Sequence, residues 1–394
     1  RFAATLAFVL AALAVGACAF CPQSLASEPS SDIARELQPF VDHHVLAGAV
    51  TLVASPDKVL SLDAVGFADI AAQKPMQPDC LFWIASMSKP IAATALMMLV
   101  DEGKVRVDDP VEKYLPEFKG QMLSAGSDKG RAVLKKPAHP ITVKEILSHT
   151  SGLPFMSPAE HTIDGLPLAE AVRSYAAGPL QFEPGSKYAY SNAGINTAGR
   201  IIEVVSAVPY EEFLASRLLK PLGMKDTTFQ PNAGQLRRLA KSYKPNAAQN
   251  GLEETTIGQL SHPLSCKHYP CPAGGLFSTA ADVSLFCRMI LGGGAYQGRR
   301  YVSEAAVRQM TATQIGRLGG YGFGWGTSRE TRGPGDPVIV GPCGHGGAYA
   351  TDMWIDPQRR LIYVYMVQHA GYPGPEGGKI LPTFRKAAEK AFAK

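Results

Sequence analysis

Ser86-Met87-Ser88-Lys89 lies between an apolar stretch, Cys80-Leu81-Phe82-Trp83-Ile84-Ala85, and an Ala/Leu/Met-rich one, Pro90-Ile91-Ala92-Ala93-Thr94-Ala95-Leu96-Met97-Met98-Leu99. The first reads as a run ending in a turn and the second has the composition of a buried helix, so Ser86 is placed at a helix start. Three residues on, a helical side chain returns to the same face, which brings the Lys89 amine within reach of the Ser86 hydroxyl. A serine attacks only after a base takes its proton, and a lysine walled in by apolar neighbours, its pKa lowered, is such a base near neutral pH. The helix N-terminus adds N–H groups that favour an oxyanion.

The tetrapeptide pattern alone is weak, because Ser55-Pro56-Asp57-Lys58 repeats it. That copy has Pro at its second position in a polar turn, with neither helix nor apolar wall. What distinguishes Ser86 and Lys89 is their company.

Tyr190-Ser191-Asn192 follows the turn Phe182-Glu183-Pro184-Gly185 and precedes a helix. A phenol beside an ammonium is expected to tilt toward its anion, so Tyr190 can carry protons between Ser86 and a leaving group, while Asn192 offers an amide to Lys89 and to a substrate carbonyl. Read without that context, the same residues are a loop tyrosine and a capping asparagine. Cys343-Gly344-His345-Gly346-Gly347-Ala348-Tyr349 begins a strand suited to a working sheet edge. Its glycines permit close backbone approach, and the Ala348 N–H can serve as second oxyanion donor beside that of Ser86.

Composition bounds the rest. The 394 residues are 46% hydrophobic with a formal charge of +5, enough for a large core and too weakly basic, with no Lys/Arg-rich block, to suggest nucleic-acid binding. Phe2 to Cys21 is almost wholly apolar and is followed by Pro22-Gln23-Ser24-Leu25-Ala26. This reads as an export signal spanning 1–26 with small residues at the cleavage site; Val15-Gly16-Ala17-Cys18 is similar to a lipoprotein signal, which would attach lipid at Cys18. Any membrane contact is expected through that signal or lipid anchor, and the location is expected to be periplasmic, secreted or lipid-anchored.

Of seven cysteines, Cys266 and Cys271 bracket a plausible short disulfide loop in an exported chain. His262 and His268 lie nearby, but the spacing matches no usual zinc pattern, so no metal is expected. There is likewise no His-Glu-x-x-His, no P-loop and no dinucleotide fingerprint, so no cofactor is expected.

Along the chain, a helix is predicted from Ser31-Asp32 to about His44, then strands at 48–54 and 59–69, then the Ser86 helix to about Gly103. Residues 105–264 read as a mainly helical insertion, with 124–140 as a surface loop. Strands at 321–326, 338–340, 348–355 and 361–368 and a closing helix from Lys379 complete the domain over 32–394. Strands from both ends are therefore expected to share one layer, with the active groove between it and the insertion.

Taken together and in this order, Ser86-Met87-Ser88-Lys89, Tyr190-Ser191-Asn192 and His345-Gly346-Gly347 resemble the three motifs of the serine β-lactamase-like family, in the branch of class C β-lactamases, family VIII carboxylesterases and D-alanyl-D-alanine carboxypeptidases. Ile146-Leu147-Ser148-His149-Thr150-Ser151-Gly152-Leu153, Pro272-Ala273-Gly274-Gly275-Leu276-Phe277-Ser278-Thr279 and Trp354-Ile355-Asp356-Pro357 also resemble that group. The resemblance implies an α+β fold, an α/β sandwich with an antiparallel sheet flanked by helices and a helical lobe. It implies that Ser86 is acylated, that Lys89 and Tyr190 share the base role, and that Asn192, His345 and Gly347 orient the substrate.

Class C β-lactamases have Lys-Thr-Gly where this chain has His345-Gly346-Gly347. An ammonium and a hydroxyl that grip a carboxylate are replaced by an imidazole, mostly neutral at pH 7 from a reference pKa of about 6.5, and by no side chain. The expectation is an exported carboxylesterase on short-chain esters, with β-lactam or D-alanyl peptide substrates as the alternative. A non-catalytic peptidoglycan-binding relative would be expected to lack one of Ser86, Lys89 and Tyr190.

Overall fold

A computed structural model of the chain describes residues 32–157, 159, 167–257, 270–328 and 341–393. The expected export signal, the Cys266 end of the expected disulfide with His262 and His268, and the expected strand at 338–340 lie outside the described residues.

Two strands form the centre of the sheet, Gly48–Ala54 from the start of the chain and Leu361–Met366 from its end, paired antiparallel with Val50 opposite Met366 and Leu52 opposite Val364. Every residue of both is buried. Alternation sorts their side chains by face. Val50, Leu52, Ala54, Ile362, Val364 and Met366 join the large core shared with the Ser86 helix, whereas Ala49, Val53, Tyr363 and Tyr365 pack against Ile33, Leu37, Ile380 and Phe384. Those last four belong to the terminal helices Asp32–Asp42 and Gly377–Phe392, which cover the outer face. Outward from this pair, one side continues through Val59–Asp69 and Lys74–Pro75, the other through Asp352–Asp356, Cys343–Gly346 and Gly326–Thr327.

The Ser86 helix, Ser88–Asp101, is buried on all sides from Ser88 to Leu99. Its apolar surface has no polar face, which fits a helix enclosed between layers. Helix Asn192–Ser206 of the insertion packs on it, and helix Ala280–Leu291 lies against the two central strands. The insertion departs from expectation in one place. Residues 124–140, read as loop, contain a two-stranded hairpin, Leu123–Asp128 with Arg131–Lys135. All of its residues but Leu123 are exposed, so it carries none of the apolar alternation that marks a half-buried strand. A second hairpin, Ser242–Pro245 with Leu252–Thr255, likewise interrupts the helical lobe.

At the sheet edge, only Gly326 of the expected 321–326 strand lies in a strand, and Tyr321 meets it through an isolated bridge. The expected 348–355 strand begins only at Asp352, because Gly347, Ala348 and Ala350 are spent on a turn in which Ala350 takes φ 65°.

Candidate active site

Ser86 sits in a single 3-10 turn, Ala85–Met87, which feeds directly into the helix beginning at Ser88. Ala85 adopts φ 44°, a left-handed conformation that costs a non-glycine residue of order 1 kcal/mol or more. The turn is held from several directions. The Ser88 hydroxyl donates to the Ala85 carbonyl at 2.7 Å and accepts from the Leu276 N–H at 3.3 Å, while Met87 N–H donates to the Ile84 carbonyl at 3.0 Å. The Ser55 copy of the pattern is different: its hydroxyl accepts from the Asp57 and Lys58 N–H groups within the hairpin turn.

Lys89 Nζ lies 3.0 Å from Ser86 Oγ and donates to the Ala273 carbonyl at 2.7 Å. The side chain is fully buried, and that desolvation, countered weakly by Cys271, brings its pKa from 10.5 down to about 7. Ala273 is fixed in turn by Asn196, whose Oδ1 accepts the Ala273 N–H at 3.0 Å and whose amide donates to the Tyr175 hydroxyl at 3.0 Å. A carbonyl from 184 residues downstream therefore orients the Lys89 amine.

The Tyr190 phenol is hydrogen-bonded to Ser86, and Lys89 Nζ stands 4.6 Å from the centre of its ring. Ser86 Oγ thus touches both an amine and a phenol. The expected tilt of Tyr190 toward its anion does not occur. Burial pushes its pKa above the ordinary tyrosine value, offset in part by the Ser86 bond. The ammonium lies over the ring face, where it contributes a cation–π contact and no charge pairing at the oxygen. Lys89 is consequently the group that sheds its proton near neutrality, and Tyr190 the one that keeps it.

Asn192 opens the helix that follows, beside Tyr190; its Oδ1 is buried and carries no protein hydrogen bond. Lys89 is bonded to Ser86 and Ala273 instead of to Asn192.

The strand Cys343–Gly346 runs beside the Ser86 turn. A Cβ on Gly347 would fall 2.6 Å from the Ile84 carbonyl, so only glycine lets this backbone approach the Ser86 turn so closely. Gly347 N–H donates to the Thr351 carbonyl at 2.7 Å, and the next residue, Ala348, lies exposed in the turn. Gly346 is roomier: its Cβ would meet only the Thr351 carbonyl at 3.6 Å and Asp352 Oδ2 at 3.9 Å.

His345 lines the same wall, its ring 6.1 Å from that of Tyr190. Its Nε2 is 3.0 Å from the Tyr321 hydroxyl and its Nδ1 2.7 Å from the Gly346 carbonyl. Burial, reinforced by the Lys89 charge, lowers its pKa to about 3. Apolar side chains border the site: Trp83 packs edge-on against Tyr349 at 5.1 Å, and Phe155, half exposed, stacks on Tyr190 at 6.3 Å.

Three contributors had no role assigned from the sequence alone. Ala273 and His149 fall inside phrases that resemble the family, yet nothing in their residue type signals a role. Tyr321 has no local signal at all. Among the described residues, no group of three His, Cys, Asp or Glu side chains is placed to hold a metal ion.

Comparison with known proteins bears on the same geometry. The family model described as Beta-lactamase matches residues 33–381. Esterase EstB of Burkholderia gladioli is 28% identical over 84% of this chain and 88% of its own. The D-alanyl-D-alanine-carboxypeptidase/endopeptidase AmpH of Escherichia coli is 27% identical over 72% of this chain and 70% of its own. Among solved structures, EstCE1, a hydrolase with promiscuous acyltransferase activity, superposes with a TM-score of 0.73 at 27% identity, covering 90% of this chain and 97% of the other.

Proposed function

Because the chain belongs to the beta-lactamase family of serine hydrolases, we propose that it is a carboxylesterase that cleaves short-chain, uncharged esters through an acyl-enzyme on Ser86. The observation that carries this reading is the placement of Ser86 Oγ between a lysine held near pKa 7 and a tyrosine held protonated.

In the first half-reaction, neutral Lys89 takes the Ser86 proton as Oγ bonds to the ester carbonyl carbon. The carbonyl oxygen becomes an oxyanion facing the N–H groups of Ser86 and Ala348. When the tetrahedral intermediate collapses, the bond to the alkoxy oxygen breaks and the departing alcohol takes the Tyr190 proton, which the Lys89 ammonium replaces. Water then attacks the acyl-enzyme, giving its proton to the same pair, and Ser86 leaves as an alcohol with its proton restored. Asn192 orients the substrate carbonyl through its amide.

The choice of esters over β-lactams is supported by the wall at His345-Gly346-Gly347. It presents a neutral imidazole and two glycines to the substrate, so a carboxylate finds no cation and no hydroxyl there. Export belongs to the same proposal, resting on the apolar run Phe2 to Cys21 and the small residues that follow it.

Turnover of p-nitrophenyl butyrate against a chromogenic cephalosporin tests the substrate class, with Ser86→Ala as control. The ester is expected to be preferred by at least a hundredfold in kcat/KM. Preference for the cephalosporin by several orders of magnitude overturns it in favour of a β-lactamase or peptidase. Failure of a fluorophosphonate to label Ser86 argues for a non-catalytic relative.

A further inference from the structure

Tyr321 belongs to none of the catalytic motifs, yet its buried hydroxyl stands 3.0 Å from His149 Nε2 and 3.0 Å from His345 Nε2. His149 is fully buried, adopts φ 61°, and packs its ring 4.4 Å from that of Tyr190. The direction of every proton along this line follows from one backbone donor. Ser191 N–H points at His149 Nδ1 at 3.1 Å, so that nitrogen is an acceptor and the neutral ring carries its proton on Nε2. His149 Nε2–H then donates to the Tyr321 oxygen, and the Tyr321 O–H donates to His345 Nε2. That leaves the His345 proton on Nδ1, which donates to the Gly346 carbonyl at 2.7 Å. The reverse order fails, since a proton on His149 Nδ1 would face the Ser191 N–H, donor against donor.

We propose that Tyr321 is a specificity-determining positioning residue: by occupying His345 Nε2 as its hydrogen-bond donor, it locks that imidazole as the neutral Nδ1–H tautomer and denies a substrate carboxylate any cation or N–H on this wall. The inference rests on the esterase reading for its substrate class and deepens it by naming the group that disables His345. A second proton on His345 would put Nε2–H against the Tyr321 oxygen, which already accepts from His149, and would leave the Tyr321 O–H with no acceptor. Of the other groups around His345, Lys89 opposes a second positive charge, the rings of Tyr190 and Tyr321 carry none, and the Asp352 carboxylate of the neighbouring strand is engaged by Arg385 at 2.6 Å. Burial holds the pKa of His149 well below its usual value as well.

The test is nitrogen NMR of histidine-labelled protein, with His345→Gln assigning the resonance, combined with kinetics on two esters. Wild type is expected to show His345 as the neutral Nδ1–H tautomer from pH 8 to pH 5. In Tyr321→Phe the freed Nε2 is expected to take up a proton within that range when a carboxylate binds beside it, because the carboxylate's charge offsets the burial and the Lys89 charge that hold the pKa of the free imidazole at about 3. The ratio of KM for p-nitrophenyl hemisuccinate to KM for p-nitrophenyl butyrate is then expected to fall at least fivefold at pH 5.5. A wild-type Nε2–H tautomer or imidazolium at pH 6 overturns the lock, and this reading stands even if Tyr321→Phe fails to fold. An unchanged KM ratio in a folded Tyr321→Phe protein overturns the specificity role. Loss of the esterase reading is distinguishable, because a chain with the Nδ1–H tautomer that turns over neither ester keeps the lock and refutes the substrate assignment alone.

Discussion

The acylation rate of Ser86 should follow the ionisation of Lys89, and pH is the perturbation that reads it. With a pKa of about 7 the Lys89 amine is half neutral at pH 7, whereas at its ordinary 10.5 roughly three molecules in ten thousand would be ready to act. Burial therefore raises the neutral fraction of the amine more than a thousandfold, at most roughly 4 kcal/mol of barrier, of which its weaker basicity returns a part. Lowering the pH from 9 to 5 should remove the neutral form by about a hundredfold, so kcat/KM falls along a single limb of unit slope centred near pH 7. The measurement is initial-rate hydrolysis of p-nitrophenyl butyrate from pH 5 to 9, corrected with Ser86→Ala. In Tyr190→Phe the plateau should drop by about a hundredfold, the size of a lost general acid, while the limb stays near pH 7. A flat profile, a limb near pH 10, or a limb that vanishes in Tyr190→Phe would refute Lys89 as the base.

Three further outcomes follow from the same geometry. Replacing Lys89 by Met removes the cost of burying an amine, at most roughly 5 kcal/mol from its displaced pKa, less about 1–3 for the Ala273 carbonyl left unbonded. Because the folded pKa is the lower one, the unfolded chain alone holds the proton between about pH 7 and 10.5. Wild-type stability thus rises with pH across that window, and the variant's advantage, at most about 2–4 kcal/mol below pH 7, should vanish by pH 10 in urea melts. Gly346→Thr should fold, because its Cβ meets nothing closer than 3.6 Å, and should raise cephalosporin turnover at least tenfold by restoring a hydroxyl. Gly347→Ala should instead cost roughly 2 kcal/mol in thermal melts and a hundredfold or more in kcat, since its methyl would push against Thr351 and the Ile84 carbonyl and draw the Ala348 turn away from Ser86.

Much of the architecture could be read from local chemistry. The strands Gly48–Ala54 and Val59–Asp69 and the buried helix after Ser86 were legible as apolar runs bounded by turn residues, and their order pointed to one sheet closed by both ends of the chain. The hairpin at 123–135 was invisible because its strands are exposed on both faces and leave no periodic trace. Ser86 and Lys89 are paired by helical geometry alone, a relation of three residues that any helix enforces. Tyr190, over a hundred residues away, joins them only because the insertion folds back onto the Ser86 helix. The tertiary structure also decided what these groups do. Desolvation, which depends on every neighbour at once, lowers the lysine and raises the tyrosine, reversing the ionisation that adjacency suggested for the phenol. The Ala273 carbonyl and the Tyr321 hydroxyl act through their positions, one anchoring an amine and the other occupying an imidazole. Residue identity along a chain fixes what chemistry is on offer, but which proton moves is set by distance and burial, and those exist only after folding.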